Sequence, residues 1–576
     1  MENDSAKFYE LWLNSGVLND DEIKELQAIK DKPEEIEDRF YTDLSFGTGG
    51  MRGIRGMGRN RINVYTIRRA TQGLADYIIK MTGETGKKKG VAISYDCRIG
   101  SADLAENAAR VLAANGVKAW LFPTLHTTPE LSFATRETKS QAGIMITASH
   151  NPREYNGYKV YWADGAQLVD PEATGVVDAV NALDIFKDVK IISKEEALQK
   201  GLLVYLDSQI DDRYIEEVEK AAIHRDIPGK ETFKIVYSPL HGTARVPVQR
   251  VLKEMGFASV WTVPEQEMPD GNFPTAAYAN PEDKNVFKLS TALADKVGAD
   301  LCLANDPDGD RVGIAIRDDK GAWFYPTGNQ IGILLIDYVL ENKKDIPENG
   351  ALVTTIVSTP MVDALAEAYG LKVFRTLTGF KYIGEKIREF EEKKYDASYV
   401  FGFEESIGYL INTHVRDKDS VVSSMLIAEM AAWYASKGIT LYDRLTAVYE
   451  KYGWYREKTI SVTKEGKSGL EDIAKIMDQL RAKPHEVIAG QKVVVLRDFE
   501  LQREKTAQGT KPISGLPRSN VIQFVLADGT TITARPSGTE PKIKYYLCVI
   551  GKTAAEADEK LAKTEKDFLA YVDQLG

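Results

Sequence analysis

Three aspartates at alternating positions form the most unusual polar cluster of the chain. Asp306, Asp308 and Asp310 lie in NDPDGDR, directly after the apolar run ADLCLA. Carboxylates this close repel one another unless a cation neutralises them, and such hard oxygen ligands suit Mg²⁺ or Ca²⁺. An EF-hand is not expected, because Arg317 stands at the twelfth position, where that loop needs a glutamate. The alternative is an acidic surface turn, which the preceding apolar run disfavours.

A serine follows a second apolar run, in AGIMITASHNPREYNGYK. The run predicts a buried strand that delivers Ser149 to a turn begun by Pro152, and the pair Asn-Gly at 156–157 predicts a second turn. A serine nucleophile needs a group that handles protons and donors that stabilise charge. His150 and Lys159 could supply these. The alternative is a serine that caps a helix.

Adjacent acids follow a third apolar run, in YVFGFEES. Carboxylates at Glu404 and Glu405, beside Ser406, are good acceptors for the hydroxyl groups of a sugar. The alternative is a helix N-terminus carrying acidic residues, which the helix dipole favours.

A turn rich in hydroxyl groups and backbone donors lies near the C-terminus, in ARPSGTEPKIKYY. A guanidinium fork beside amide donors suits a phosphate dianion. The residues that could form this cradle are Arg535, Ser537, Gly538 and Thr539, with Lys542 and Lys544 close by. A simple basic hairpin is the alternative. The early loop FGTGGMRGIRG includes Arg52 and Arg55, and it too is either a phosphate-binding turn or a simple basic turn.

The elements that must position these clusters recur three times. Each repeat combines three short apolar runs with one amphipathic helix that stops at a glycine, which indicates α/β layering. The predicted strands are GVAISYD, KAWLFP and AGIMITAS, then FKIVYSPL, SVWTVP and ADLCLAND, then ALVTTIVS, KVFRTLTG and ASYVFGFEE. The third strand of each repeat runs directly into a polar cluster. Because ligand groups gather beyond the carboxyl ends of strands in open α/β sheets, the three clusters are expected to face one cleft.

Composition limits the classes of function. The chain has 576 residues, enough for several domains, and a net charge of −11, which does not suit a protein that grips nucleic acid. Its three cysteines are far apart, no run approaches the ~18 apolar residues of a membrane helix, and the acidic N-terminus does not resemble a signal peptide. These features predict a cytoplasmic protein without a membrane partner.

Residues 1 to about 45 read as helical with an interruption at Pro33, and a separate α+β domain is predicted from about residue 455.

Taken together, the motifs closely resemble the α-D-phosphohexomutase superfamily of phosphoglucomutases and phosphomannomutases. TASHNPREYNGYK resembles its phosphoserine loop, DPDGDR its metal loop, FEESIG its sugar-binding loop and RPSGTEP its phosphate-binding loop. The segments GTGGMRG, SPLHGTA, TGFKYIG and HVRDKD are most similar to the long phosphoglucomutase/phosphopentomutase-like branch. The resemblance implies an α/β fold with three related α/β domains around a central cleft and a C-terminal α+β domain of TBP-like fold. The predicted bounds are 1–207, 208–318, 319–452 and 453–576.

The resemblance also implies roles for individual residues. It implies a phosphorylated Ser149, and Mg²⁺ held by a phosphoserine oxygen together with the three aspartates. Arg52, Arg311, His150 and Lys159 match positions around the transferred phosphoryl group. Glu404 and Ser406 match residues that hold sugar hydroxyls, and Thr378 with Gly379 matches a specificity loop. The positions that bind the phosphate that does not react are matched by Arg535, Ser537, Gly538 and Thr539.

One departure from the family pattern affects the general base. Many members have a histidine that closes a GEMSGH-like loop, whereas EESIGY places Gly408 and Tyr409 there. The segment HVRDKD resembles a part of the eukaryotic-type phosphoglucomutases, in which Lys418 would handle the proton and His414 and Arg416 would be nearby. A lysine base would need a lowered pKa.

The function that the resemblance implies is phosphoglucomutase activity. Glucose 1-phosphate and glucose 6-phosphate would interconvert through a phosphoserine enzyme, with glucose 1,6-bisphosphate as intermediate and activator. Mannose and pentose phosphates are alternative substrates for the same mechanism. A serine-dependent phosphatase and a non-catalytic sugar-phosphate sensor are more distant alternatives. The sequence makes no prediction about oligomeric state.

Overall fold

The computed structural model of the chain describes residues 4–47, 49–464, 466–537 and 542–575. The chain divides into two compact units, Met1–Gly328 with Phe380–Ile439 and Asn329–Gly379 with Thr440–Gly576. In the described ranges, no helix has an apolar stretch long enough to cross a bilayer.

Three short helices open the chain: α1 (Asp4–Leu13), α2 (Asp20–Gln27) and α3 (Pro33–Phe40). Pro33 begins α3 rather than interrupting a longer helix, because its fixed φ and missing N–H suit a first turn. Tyr9, Trp12 and Phe40 are buried, and the rings of Tyr9 and Trp12 meet Phe40 edge to face.

The first sheet has six strands in the order β1-β5-β4-β2-β3-β6. They are β1 (Gly50–Ile54), β2 (Val91–Tyr95), β3 (Ala119–Leu121), β4 (Ala142–Ile146), β5 (Tyr155–Trp162) and β6 (Leu203–Tyr205). The helices of this region are α4 (Val64–Lys89), α5 (Ser101–Ala114), α6 (Thr128–Glu137), α7 (Glu172–Asn181) and α8 (Lys194–Gln199). Every residue of β4 is buried, because α5 and α6 contribute to the apolar clusters on its opposite faces.

The second sheet has five strands in the order β11-β10-β9-β7-β8. They are β7 (Ile235–Ser238), β8 (Val260–Thr262), β9 (Leu301–Asn305), β10 (Val312–Arg317) and β11 (Trp323–Phe324). The helices are α9 (Gln209–Glu219), α10 (Arg245–Glu254), α11 (Pro264–Glu267) and α12 (Lys288–Val297), with 3₁₀ turns at Lys230–Thr232 and Lys284–Phe287.

The third repeat is shared between the two units. Its elements are α13 (Gly328–Asn342), β12 (Gly350–Thr355), α14 (Met361–Ala368), β13 (Lys372–Thr376), α15 (Phe380–Glu391), β14 (Ser398–Glu404), β15 (Gly408–Ile411) and α16 (Ser420–Ala435). In one unit β12 and β13 pair in parallel, and in the other β14 and β15 pair antiparallel.

The C-terminal region forms one sheet with strand order β16-β23-β22-β21-β18-β19-β20, to which β17 adds by pairing with β18. The strands are β16 (Trp454–Thr463), β17 (Val487–Ile488), β18 (Gln491–Asp498), β19 (Arg503–Thr506), β20 (Gly509–Pro512), β21 (Ile522–Leu526), β22 (Thr531–Pro536) and β23 (Lys542–Gly551). The helices are α17 (Leu441–Tyr452), α18 (Gly466–Ala482) and α19 (Ala554–Asp573). Met477 of α18 and Phe568 of α19 pack on the sheet residue Phe524 in one apolar core.

The nine predicted strands and three predicted helices of the repeats are all present, and the mixed α/β class is confirmed. Gly116, Gly256 and Gly370 follow their helices with φ between 68° and 87°, the left-handed stop that was expected. The sequence did not predict that an antiparallel strand follows each third strand. The predicted turn at 156–157 was wrong, because both residues pair with β1 inside β5. Each polar cluster therefore lies in a connection between two antiparallel strands.

Candidate functional site

The three aspartates lie in the short connection between β9 and β10. Asp306 and Asp308 are fully buried and Asp310 nearly so, which rejects the surface-turn alternative. One carboxylate oxygen of Asp306 accepts hydrogen bonds from the backbone N–H groups of Asp310, at 3.1 Å, and of Arg311, at 3.0 Å. These bonds fold the connection back on itself, so that one carboxylate oxygen from each aspartate lies within 4.8 Å of the other two.

Other elements of the same unit hold this connection through hydroxyl groups. Thr128 at the start of α6 donates its Oγ1 proton to Asp308 at 2.9 Å and its N–H to the Asp308 carbonyl at 2.8 Å. Thr243 donates to the Pro307 carbonyl, and Ser420 at the start of α16 donates to the Gly309 carbonyl at 2.6 Å. None of these residues was predicted as functional. Thr243 and Ser420 lie in or beside the motifs SPLHGTA and HVRDKD, which were the available signal.

The acid cluster has the properties of a site for a divalent cation. Burial, with the charges of Asp308 and Asp310, raises the pKa of Asp306 well above its usual value. Burial alone would raise the pKa of Asp308, but the Lys159 ammonium lowers it. One oxygen each of Asp308 and Asp310 is buried without a hydrogen-bond donor. Unpaired buried carboxylate oxygens are costly unless a cation binds them, so the donor set fits Mg²⁺.

Ser149 lies against this cluster, between β4 and β5. Its Oγ donates to Asp306 Oδ2 at 2.8 Å and lies 3.1 Å from His150 Nδ1. Ser149 does not cap a helix, because the segment is a turn between strands. Burial, together with the charges of Arg311 and Arg52, lowers the pKa of His150 well below its usual value. The surroundings of His150 therefore disfavour protonation of its ring beside the serine hydroxyl.

Four cationic side chains surround the serine and the acids. Lys159 Nζ lies 2.7 Å from Asp308 and 3.3 Å from Asp310. Arg311 Nε lies 3.7 Å from Asp310. Arg52, on β1, donates to the side chain of Asn151 next to the serine. Lys418 Nζ lies 3.3 Å from Asp310 and 3.0 Å from Asp417. The predicted residues around the phosphoryl group thus come together in one unit.

The environment of Lys418 differs from the one that a base requires. Burial acts to lower the pKa of this lysine, but the carboxylates of Asp310 and Asp417 outweigh it and raise the pKa far above its usual value. The expected lowering is therefore absent in this arrangement. The two residues expected near Lys418 form ion pairs: His414 pairs with Asp419 at 2.8 Å, and the fully buried Arg416 pairs with Glu391 at 2.5 Å.

The cluster EES forms a tight hairpin turn rather than a helix N-terminus. Glu404 ends β14 and is buried, residues 405–407 form the turn, and Gly408 begins β15. A Cβ atom at Gly408 would overlap the aliphatic stem of Lys418. The absence of a side chain at Gly408 is thus what makes room for the lysine.

The remaining predicted residues belong to the other unit. Arg535 lies in β22 opposite Lys544 of β23, and the Ser537 N–H donates to the Lys542 carbonyl at 2.7 Å, so these residues flank the connection between the two strands. Thr378 Oγ1 is buried without a hydrogen-bond partner, and Gly379 follows it. Gly538 and Thr539 lie outside the described residues.

A second group of possible ligands consists of His126, Glu130 and Asp211. His126 Nδ1 lies 2.9 Å from the Thr124 carbonyl, and Nε2 lies 3.2 Å from Asp211. Burial opposes protonation of this ring, but Glu130 and Asp211 outweigh it and raise the pKa of His126. The two carboxylates of this group therefore favour protonation of the His126 ring.

Comparisons with known proteins match most of the chain. The family models "Phosphoglucomutase/phosphomannomutase, alpha/beta/alpha domain" I, II and III match residues 43–185, 212–321 and 327–452. A phosphoglucomutase of Staphylococcus haemolyticus is 39% identical over 512 residues, 89% of this chain and 91% of that protein. Two solved structures have a similar fold. A phosphoglucomutase/phosphomannomutase family protein from Burkholderia thailandensis has a TM-score of 0.65 at 19% identity, covering 91% of this chain and 97% of that chain. The open form of pp63/parafusin (phosphoglucomutase) from Paramecium has a TM-score of 0.68 at 17% identity, covering 92% and 95%.

Proposed function

The chain belongs to the phosphoglucomutase/phosphomannomutase family, and from this premise we propose that it interconverts glucose 1-phosphate and glucose 6-phosphate through a phosphorylated Ser149. The observation that carries the proposal is the contact between Ser149 Oγ and the buried aspartate cluster, at 2.8 Å from Asp306. A serine hydroxyl beside carboxylates with unsatisfied oxygens suits transfer of a phosphoryl group assisted by a divalent cation.

In the first half of the reaction, phospho-Ser149 gives its phosphoryl group to the free hydroxyl of glucose 1-phosphate. The bond between phosphorus and Ser149 Oγ breaks, a bond to the sugar oxygen forms, and glucose 1,6-bisphosphate results. Lys159, Arg311 and Arg52 stabilise the charge on the phosphoryl oxygens. Asp306, Asp308, Asp310 and a phosphoserine oxygen would hold Mg²⁺, which supplies further positive charge at the transferred group.

Glu404 and Ser406 are proposed to bind sugar hydroxyls and so to orient the attacking oxygen. Lys418 is proposed to take the proton of that hydroxyl. It can do so only when the influence of Asp310 on its pKa is reduced, and Asp310 is itself one of the proposed metal ligands. His150, whose Nδ1 lies 3.1 Å from Ser149 Oγ, is suited to exchange a proton with that oxygen when the serine is not phosphorylated.

In the second half, the bisphosphate presents its other phosphate to Ser149. A bond forms between that phosphorus and Ser149 Oγ, the bond to the sugar oxygen breaks, that oxygen takes up a proton, and glucose 6-phosphate leaves. Arg535, Ser537, Gly538 and Thr539 are proposed to bind the phosphate that does not react, with Thr378 and Gly379 contacting the sugar. This cradle must accept either end of the sugar in turn. Epimeric hexose phosphates differ at a single hydroxyl, so discrimination between them is expected to be moderate.

The identity of the sugar is tested with purified protein, Mg²⁺ and a trace of glucose 1,6-bisphosphate. We expect glucose 1-phosphate to turn over fastest and mannose 1-phosphate about 10- to 100-fold more slowly, because one hydroxyl epimer changes only one or two hydrogen bonds. Coupled detection of the 6-phosphates and of ribose 5-phosphate ranks the three sugars. Turnover of ribose 1-phosphate alone would contradict the hexose assignment, and release of inorganic phosphate without an isomer would contradict mutase function.

Replacing Gly408 by alanine is expected to lower kcat about 10- to 100-fold, because the added Cβ displaces the stem of Lys418. Steady-state kinetics of Gly408→Ala, Lys418→Met and the double variant provide the measurement. If the loss runs through Lys418, the double variant is no slower than Lys418→Met. Independent, multiplying losses in the double variant would contradict this explanation.

A further inference from the structure

The backbone of Ser149 lies in the left-handed region, with φ of +50°. Residues with a Cβ avoid this region because the Cβ approaches the following carbonyl oxygen. Such a conformation persists only where the surrounding structure determines it. The contacts that hold Ser149 in it lead to a fully buried ion pair, Asp96 with Arg98, which follows β2.

The carbonyl side of Ser149 is held by Arg98. Its Nη2 donates to the carbonyls of Ser149 and Asn151, each at 2.5 Å. Its Nη1 donates to the carbonyls of Pro152 and Tyr155 at 2.8 and 3.0 Å. A guanidinium has four protons on its two terminal nitrogens, and these four bonds use all of them. Arg98 therefore holds the backbone carbonyls of the loop between residues 149 and 155. Its two terminal nitrogens have no proton left to donate to a phosphate.

The N–H side of Ser149 is held by Asp96. The Ser149 N–H donates to Thr147 Oγ1 at 2.8 Å, and this hydroxyl donates to Asp96 Oδ2 at 2.6 Å. The same Oδ2 lies 3.2 Å from Arg98 Nε, and Asp96 Oδ1 accepts the Arg98 N–H at 2.9 Å. The hydrogen bonds from the peptide groups on both sides of the Ser149 Cα thus lead to the same ion pair, Asp96 with Arg98.

We propose that Asp96 and Arg98 are a positioning pair that fixes the left-handed backbone of Ser149 and so aims its Oγ at Asp306. The inference rests on the proposed role of Ser149 as the phosphoryl carrier. The hydrogen bonds described for the pair go to backbone groups of the loop and to hydroxyl groups, so loosening the loop should slow phosphoryl transfer without weakening sugar binding. The loss should be equal in both directions of transfer, because the same Oγ gives and receives the phosphoryl group.

The test compares Arg98→Lys and Arg98→Met with the wild-type enzyme. Methionine removes all four carbonyl contacts and is expected to lower kcat at least about 100-fold, while lysine, which keeps the charge but not the fork, gives an intermediate loss. KM for glucose 1-phosphate should stay within about threefold, since a purely structural defect would change both parameters. The single-turnover rate at which glucose 1,6-bisphosphate phosphorylates Ser149 should fall by the same factor as kcat. Arg153→Met, on the exposed part of the same loop, is the matched control and should behave as wild type.

Thr147→Val provides a second variant that removes the hydroxyl link without leaving a buried charge unpaired. It is expected to fold and to lower kcat about 10-fold with KM unchanged. Wild-type kcat in Thr147→Val and in the folded Arg98 variants would overturn the positioning pair, and if the Arg98 variants do not fold, Thr147→Val decides alone. Absence of mutase turnover in the wild-type enzyme would instead contradict the proposed function, so the two failures are distinguishable.

Discussion

Replacing Ser149 by alanine is expected to lower mutase turnover by at least about 10⁴-fold, because the oxygen that carries the phosphoryl group is removed. The fold should survive. Alanine has the same Cβ as serine, so the left-handed backbone at φ of +50° is no more strained, and the lost hydrogen bond to Asp306 costs about 1 kcal/mol. The measurements are the coupled mutase assay and the mass of the intact protein after incubation with glucose 1,6-bisphosphate, which should show no added phosphate.

Ser15→Ala is the matched control, since Ser15 is only partly buried and lies in the turn after α1, outside the residues described around Asp306. This variant should keep both turnover and phosphate incorporation. Full mutase activity in Ser149→Ala would contradict the phosphoserine mechanism. Phosphate incorporation without Ser149 would place the carrier on another side chain, and loss of the circular dichroism spectrum or of the wild-type Tm would show a folding defect instead.

The repeated part of the fold was readable from the sequence for a physical reason. The central parallel strands β4 and β9 are buried at every residue, so they appear as uninterrupted apolar runs, and glycine marks the helix ends. The strand β5 was read partly as a turn, because the pair at 156–157 favours turns locally. Its pairing with β1, about one hundred residues away in sequence, overrides that preference. In the C-terminal region, the hairpin of β19 and β20 has little buried apolar surface to reveal it.

The candidate site was readable where residue type alone carries the chemistry. The three aspartates and Ser149 come together as the sequence indicated, and the structure supplies the distances. The supporting residue Thr128 was not readable, because it holds Asp308 through its hydroxyl and its N–H from a segment far away in sequence, and such bonds leave no local pattern. The sign of the pKa shift at Lys418 could not be predicted either, because it depends on how near Asp310 lies.

Replacing Asp308 by asparagine is expected to lower turnover at least about 10³-fold and to weaken Mg²⁺ binding at least about 10-fold. Asparagine preserves the size of the side chain but removes the charge that pairs with Lys159 at 2.7 Å. It also offers fewer oxygens than the carboxylate, whose Oδ1 is now buried without a donor. A ligand that binds only the folded state raises stability, so Mg²⁺ should raise the wild-type Tm and have little effect on the Tm of the variant.

Isothermal titration with Mg²⁺ and thermal unfolding with and without the ion measure these effects separately from activity. Asp300→Asn is the matched control: Asp300 precedes the same strand, β9, but its side chain is 78% exposed, so the substitution should leave Mg²⁺ binding and turnover unchanged. Unchanged Mg²⁺ affinity in Asp308→Asn would remove this aspartate from the proposed ligand set. Full turnover of the wild-type enzyme after a chelator has removed divalent ions would contradict the proposed role of Mg²⁺. The unsatisfied oxygens of the buried aspartates would then need another explanation.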